Sequence, residues 1–293
     1  MLDVSWLGRG TELLYNAGEF LYKNARLLER RRFEFHFANG SRGAVLTSLE
    51  AYRNSDGGFG NGLEPDKRVP DSQPIDQEFA LHILHQIGAA PEAAGGVNDF
   101  LETVTTEEGG VPFSLPGASA FPHAPWWKSE PNPPARINPT ASLVGLLHAL
   151  HCEHPWRQRA EDYAWQNIEA TDTTEVHDLM AILVFLEHHP DRERAMRAFE
   201  RLAPTIVAQT ALDPAAEGYV KKPLEWAPTP DSLCRPLFSD EVLNAHLDAI
   251  EAAQQPDGGW NISWEPISVG VACEWRGVVT LGNLLLLQAW GRT

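Results

Sequence analysis

Three neighbouring side chains at the predicted start of an apolar helix could perform acid chemistry. Glu175 and Asp178 are three residues apart, so they would share one face of that helix. His177 stands between them, and a carboxylic acid beside a histidine can act as a general acid. We predict that Asp178 donates a proton while His177 and Glu175 set its protonation. The alternative is a helix cap, with Thr174 or Asp172 capping and the acidic residues favouring the helix dipole.

A second group lies in a glycine-rich loop, residues 57–68, which mixes charges of both signs. Such loops bring backbone donors and carboxylates together, as ligand-binding loops do. Glu64 and Asp66 could serve as a base or as metal ligands, and Lys67 and Arg68 could bind a diphosphate or a carboxylate. A purely structural loop with surface charges is the open alternative.

Aromatic side chains form the third group, because ten tryptophans is a high number for 293 residues. Rings that line a cavity can hold a hydrocarbon chain or stabilise a cation through their faces. Glu274 stands directly beside a tryptophan, and we count it as a further catalytic carboxylate. Packing between helices is the commoner use of tryptophan and remains open. The predicted substrate-binding residues are Phe59, Lys67, Arg68, Trp126, Trp127, Trp264, Glu265, Trp275 and Arg276.

Histidine and cysteine patterns give no metal prediction. The run His151 to His154 places ligand types side by side but has no second cluster at zinc spacing. His188 and His189 are typical of a helix C-terminus, where imidazoles face the dipole. We therefore predict no metal and no cofactor, with magnesium expected only if the substrate is a diphosphate.

Charge and composition exclude several classes of protein. The formal net charge is −17, which argues against nucleic acid or an anionic membrane as a partner, since both attract basic surfaces. Three scattered cysteines indicate a reducing compartment. No apolar run follows a basic start, and the stretch Leu281 to Leu287 is too short for a membrane span. We expect a cytoplasmic protein that acts on a small molecule, and the sequence leaves its oligomeric state open.

Helical periodicity dominates the chain, and alternating strands are hard to find. Apolar residues predict a first helix over 13–28 and a second over 45–52. Three long segments rich in proline, glycine and tryptophan, 57–74, 109–139 and 212–236, predict ordered loops at one end of a helical barrel. The other predicted helices are approximately 75–87, 91–104, 139–151, 155–170, 174–188, 191–209, 239–255 and 274–290.

Two segments look like copies of one repeating unit. Residues 48–59 and 249–260 both contain an amphipathic helix that ends in Asp-Gly-Gly and an aromatic residue. Paired glycines supply the positive φ angles that end a helix and turn the chain. Because such self-similarity indicates stacked helix pairs, with one copy near each end of the chain, we predict a closed ring.

The repeat resembles that of the terpenoid cyclases and protein prenyltransferases, a helix followed by Gln, a short gap, Gly and Trp. Gln254, Asp257 and the following Gly-Gly-Trp match it. The first copy departs from it, with Arg53 in place of Gln and Phe59 in place of Trp. The resemblance implies one all-α domain over residues 1–293, an α/α toroid of about ten to twelve helices.

The resemblance does not assign the reaction. The chain lacks the Asp-x-Asp-Asp and Asp-Asp-x-x-Asp motifs of terpene cyclases and synthases, and Asp231 and Cys234 have the wrong spacing for the prenyltransferase zinc site. Our first hypothesis is a cyclase-like or prenyltransferase-like enzyme that uses acid and cation chemistry on an isoprenoid or similarly apolar molecule. A carbohydrate-active lyase or hydrolase and a non-catalytic binding module are the alternatives.

Overall fold

A computed structural model describes residues 9–293, and this range is all-helical. Residues 1–8, part of the segment in which we expect no signal peptide, lie outside the described residues. The described range contains twelve α-helices and no strand, which confirms the all-α prediction. The helices are α1 Arg9–Asn24, α2 Leu27–Phe37, α3 Arg42–Glu50, α4 Pro74–Gln86, α5 Gly95–Thr103, α6 Ile137–Ala149, α7 Pro155–Ala170, α8 Val176–His188, α9 Arg192–Ala208, α10 Pro223–Trp226, α11 Asp240–Ala252 and α12 Val269–Ala289.

The chain divides into two compact units, one of residues 49–209 and one of residues up to Ser48 together with residues 210–293. In the 49–209 unit, α6 packs against α4 and α8, the helices two places before and after it, and α5 packs against α7. In the other unit, α12 packs against α1 and α2. The expectation of a single domain stays a prediction.

Apolar composition explains why α6 and α8 form the centre of the 49–209 unit. Every residue of α6 from Pro139 to Leu147 is buried, as expected of a helix that is apolar on all sides. In α8, six of the thirteen residues are buried and the other seven are half-exposed, several of them in a stripe along one face. That stripe is described with the candidate site below.

Two helix boundaries differ from the sequence prediction. The predicted helix over 13–28 is two helices, because the backbone becomes extended at Arg26, the residue before α2. The last helix begins at Val269 instead of residue 274, and Ser268 caps it by accepting a hydrogen bond from the Val271 N–H. Periodicity missed both features, since α2 carries charges on several sides and α12 begins with small residues.

The predicted repeat has the same backbone geometry in both copies. In the first, the Asn54 N–H donates to Gly58 O and the Gly57 N–H donates to Asn54 O. In the second, the Gln255 N–H donates to Gly259 O and the Gly258 N–H donates to Gln255 O. The side chains of Asp56 and Asp257 each accept the N–H two residues ahead. We call this structure the glycine-pair turn.

A third glycine-pair turn, which sequence comparison missed, precedes α6. The Thr106 N–H donates to Gly110 O and the Gly109 N–H donates to Thr106 O. Gly57, Gly109 and Gly258 have φ angles of 85°, 98° and 91°, a region that favours glycine. The third copy was hidden because Glu108 replaces the aspartate and its last residue, Val111, is not aromatic.

Each turn is anchored in the same way to the helix that follows it. The backbone N–H of Phe59 donates to Gln77 of α4, that of Val111 to Thr140 of α6, and that of Trp260 to Thr280 of α12. Gln77 and Thr140 are both the fourth residue of their helix, whereas Thr280 is the twelfth. Relative to this anchor, α12 therefore carries about two additional turns at its N-terminal end.

Each turn also packs on another helix through the same two positions. A Cβ on Gly57 and Gly58 would meet Gly96 and Phe100 of α5. The corresponding neighbours are Arg159 and Tyr163 of α7 for the turn before α6, and Asn16 and Phe20 of α1 for the turn before α12. In all three cases the second neighbour is an aromatic residue four positions after the first. The repeat therefore includes the helix against which the turn packs.

One described helix, Val269–Ala289, is long and apolar enough by composition to cross a membrane. A single helix of this kind is weak evidence, since core helices of many proteins meet the same criterion. It packs against α1 and α2 and contains Glu274 and Arg276. The described residues therefore give no clear membrane span.

Candidate functional site

The clearest acid of the 49–209 unit is Glu78, on the second turn of α4. Its side chain is half-buried, and burial raises the pKa of Glu78 to about 7. The hydrogen bond with Ser142 of α6 and the charge of His177 of α8 act in the opposite direction but are weaker. A carboxyl group with a pKa near neutrality can donate and recover a proton at physiological pH. Glu78, Ser142 and His177 form what we call the acid site.

Ser142 lies near the start of α6, where its hydroxyl donates to Pro139 O at 2.9 Å. Its effect on Glu78 is to lower the pKa of that carboxyl group, against the larger effect of burial.

The start of α8 brings together the three residues that the sequence predicted as acid machinery. Glu175 Oε1 lies 2.8 Å from His177 Nδ1, and Glu175 Oε2 accepts the Asp178 N–H. Burial would raise the pKa of Glu175, but these hydrogen bonds outweigh it and lower the pKa to about 2. Burial, reinforced by Glu175, raises the pKa of Asp178. Glu175 is thus the helix cap, a role we had assigned to Thr174 or Asp172.

Two residues of the acid site, Glu78 and His177, lie on half-exposed stripes of α4 and α8. On α8 the stripe is His177, Met180 and Val184, at the spacing of one helix face. On α4, Glu78 and His82 are half-exposed and one turn apart. The stripe on α8 begins with a titratable group, continues with the apolar Met180 and Val184, and reaches the half-exposed Glu187 and His188 at the C-terminal end of the helix.

A second cluster, buried in the same unit, joins two predicted residues to one that the sequence missed. The ammonium group of Lys67 lies 2.7 Å from Asp76 Oδ1 and 3.7 Å from Glu64 Oε2. All three side chains are at most 3% exposed. Burial raises the pKa of Glu64 to about 8, although Lys67 acts in the opposite direction. We call Glu64, Lys67 and Asp76 the buried lysine cluster.

A loop covers this cluster. The indole ring of Trp127 lies over the Lys67 ammonium, 5.1 Å from the ring centroid, and also stacks on Phe113. The Ala124 N–H donates to the backbone carbonyl of Asp66, whose side chain is buried. Glu64, Asp66, Lys67 and Trp127 therefore belong to one buried assembly.

Three other predicted residues of the unit have distinct surroundings. Phe59 is fully buried beneath the guanidinium group of Arg53, 4.2 Å from the ring centroid. Arg68 is half-buried, and its backbone N–H donates to Pro122 O. Trp126 is 47% exposed. Their roles in substrate binding stay predictions.

The remaining predicted residues lie in the other unit. Trp264 packs perpendicular to Trp275 at 5.0 Å, which makes an aromatic cluster. Arg276 bonds both carboxylate oxygens of Asp257 and thereby braces the glycine-pair turn before α12. Glu265 is exposed and Glu274 is half-buried. The catalytic or substrate-binding role of each of these residues stays a prediction.

Among residues 9–293, one group of side chains offers three metal-ligand atoms in close proximity: His148, Glu161 and His189. Each histidine Nε2 lies 2.9 Å from one oxygen of Glu161. The Asp191 N–H donates to His189 Nδ1, and the Trp165 indole N–H donates to His189 Nε2 at 3.1 Å. The histidine pair and Glu161 thus belong to a network of hydrogen bonds, and we interpret the group as a clamp between α6, α7 and the end of α8.

One residue of the buried lysine cluster and one of the acid site were absent from the sequence prediction. Asp76 and Glu78 lie in the first turns of α4, where the sequence Pro-Ile-Asp-Gln-Glu has a proline followed by acidic residues. This pattern is typical of an ordinary helix start, so composition gave no reason to select them. Only their burial distinguishes them.

A comparison with models of known protein families finds no match, and none of the curated proteins compared with the chain matches it.

Proposed function

We propose that the protein is a cyclase-like or prenyltransferase-like enzyme that protonates an isoprenoid or similarly apolar small molecule, with Glu78 as its acid. The observation that carries this proposal is the pKa of Glu78, raised by burial to about 7, next to Ser142 and His177. The sequence hypothesis assigned the proton to Asp178. Glu78 is the better donor because burial raises its pKa to about 7, within the range in which a carboxyl group exchanges a proton at physiological pH.

The proposed fold is an α/α toroid, and the glycine-pair turns support it. The turn before α4 packs on α5 and the turn before α6 packs on α7, so each of these turns contacts the helix that comes after its anchor helix. The turn before α12 packs instead on α1. A contact of this kind between elements far apart in the chain is expected if the helix pairs close into a ring.

The chemistry follows from the surroundings of Glu78. Transfer of its proton to a carbon–carbon double bond leaves a carbocation on the substrate and a carboxylate on Glu78. The acid site lies near the N-terminal ends of α4, α6 and α8, and helix N-termini stabilise a carboxylate. In this proposal His177, held by Glu175 at 2.8 Å, returns a proton to Glu78.

The apolar middle of the half-exposed stripe on α8 supports an apolar substrate. Met180 and Val184 continue the face that begins with His177. Side chains of this kind exclude water, which would otherwise quench a carbocation. Phe79, half-exposed beside Glu78, adds an aromatic ring suited to cationic intermediates.

The test is to incubate the purified protein with prenyl diphosphates of several chain lengths and with polyenes that lack a diphosphate, each with and without magnesium. Product is expected from at least one polyene, and E78Q should reduce its formation by about 100-fold or more. The matched control is E102Q, which changes an exposed glutamate of α5. No product from any substrate, or an E78Q protein as active as wild type, would contradict the proposal.

The carbohydrate-active alternative is supported by one observation, the opposite pKa shifts of two carboxyl groups. Glu78 has a pKa of about 7 and Glu175 a pKa of about 2, the division between acid and base that glycosidases use. Screening with aryl glycosides distinguishes the two proposals. Release of the aryl group by wild type but not by E78Q would favour a glycosidase.

A further inference from the structure

The buried lysine cluster places an amine against a carboxyl group with no solvent between them. Lys67 Nζ lies 2.7 Å from Asp76 Oδ1, and both side chains are 0% exposed. A positioned nucleophile and electrophile react as if they were present at very high concentration. A desolvated lysine is also a better nucleophile than a hydrated one.

A backbone donor is aimed at the same carboxyl oxygen. The N–H of Glu64 donates to Asp76 Oδ1 at 2.8 Å. When an amine adds to a carboxyl carbon, negative charge develops on that oxygen, and a fixed N–H stabilises it. The position corresponds to the oxyanion donor of acyl-transfer enzymes.

A proton shuttle stands beside the amine. Glu64 Oε2 lies 3.7 Å from Lys67 Nζ and has no hydrogen-bond partner among the described residues. Because burial raises the pKa of Glu64 to about 8, its carboxyl group is protonated at neutral pH. A buried carboxylic acid can give one proton and take back another.

The loop that contains Trp127 covers the cluster and excludes water. Trp127 is 4% exposed, covers the Lys67 ammonium at 5.1 Å and stacks on Phe113. Its indole N–H is buried and has no partner within residues 9–293. An apolar cover favours neutral groups over charged ones, and it opposes hydrolysis of any amide that forms.

We propose that Lys67 and Asp76 condense to an intramolecular amide bond with Glu64 as the proton shuttle. The ammonium first passes a proton to the Asp76 carboxylate, which gives a neutral amine and a neutral acid with its proton on Oδ2. Nζ then attacks Cγ, and Oδ1 becomes the oxyanion that the Glu64 N–H stabilises. Glu64 takes a proton from the nitrogen and supplies one to Oδ2, the Cγ–Oδ2 bond breaks, and one water leaves. No oxidant or cofactor is needed.

Mass spectrometry of the intact protein tests this directly. The wild-type chain is expected to weigh about 18 Da less than its sequence mass, the mass of one water. Trypsin should fail to cut after Lys67, and the peptides 54–68 and 69–128 should remain joined. A wild-type protein of full sequence mass, with cleavage after Lys67, would overturn the proposal.

Variants separate this reaction from another loss of water. Asp56 and Asp257 each precede glycine, and Asp-Gly pairs can also lose water within the backbone. K67R keeps the positive charge but cannot form the amide, so its mass should return to the sequence value. E64Q should slow the condensation, and D76N should release ammonia, about 17 Da, in place of water. A loss of 18 Da that persists in K67R would refute the assignment.

Discussion

Gly258 provides a quantitative test of the glycine-pair turn. Its φ angle is 91°, and a Cβ added there would overlap the carbonyl oxygen of Asn16 and lie 2.6 Å from the carbonyl carbon. Both atoms belong to the backbone of α1, so neither can rotate away. We expect G258A to destabilise the protein through two separate costs, backbone strain and overlap.

The two costs can be estimated separately. Placing an alanine at positive φ costs roughly 1–2 kcal/mol, offset by about 0.4–1 kcal/mol from the lower entropy of the unfolded chain. Pushing α1 away from the turn costs a further 1–3 kcal/mol or so, as in other overpacked sites. G258A should therefore lower the free energy of unfolding by about 2–4 kcal/mol.

Gly218 is the matched control because an alanine there would have the backbone strain without the overlap. Its φ angle is 87°, but a Cβ there would meet no atom within 4 Å. G218A should therefore lose about 1 kcal/mol or less, from strain alone. Urea unfolding of both variants, followed by circular dichroism, gives the comparison. Equal losses for G258A and G218A would show that the contact with α1 does not contribute and would refute the reasoning.

Three further predictions concern single side chains. E161Q should lose about 1.5–3 kcal/mol of unfolding free energy at pH 7, because two histidines bond its carboxylate. Glu161 has a lowered pKa, about 2, so this difference should shrink as the pH falls toward 2, and a constant difference would contradict the clamp. R53Q should keep the bond to Gly57 O and unfold later in urea than R53A, whereas equal midpoints would argue against the role of that bond. Because Glu78 must be protonated to act, kcat/KM should fall above pH 7, and a flat profile to pH 9 would exclude it as the acid.

Much of the fold could be predicted from the sequence because its signals are local. Apolar periodicity gave most of the helices, and the Asp-Gly-Gly pattern gave two of the three glycine-pair turns. The replacement of Gln by Arg53 has a simple explanation. Arg53 donates to Gly57 O and Ala93 O, and Gln254 donates to Gly258 O and Leu13 O. Two different side chains make the same pair of contacts.

The candidate site was less predictable because its distinguishing property is burial. Asp178, His177 and Glu175 could be found since they are adjacent in sequence and their helix start is recognisable. Glu78 could not, because its raised pKa arises from burial in the folded protein, which the local sequence does not record. A sequence records the type of an acidic residue, whereas its pKa depends on which other elements fold around it.

The three turns also provide a way to separate the residues that the fold requires from the residues that have a chemical role. Gln77, Thr140 and Thr280 hold the same place relative to their turns, because each accepts the same backbone N–H.

On this alignment the residues that correspond to Glu78 are Ala141 and Leu281, and Pro139 and Val279 correspond to Asp76. Both neighbours of the anchor are acidic in α4 and apolar in the other two helices. A buried charge costs stability unless something compensates it. Since the repeat folds without these carboxyl groups twice in the same chain, the fold does not require them. Their presence in α4 alone is the strongest reason to assign them a chemical role.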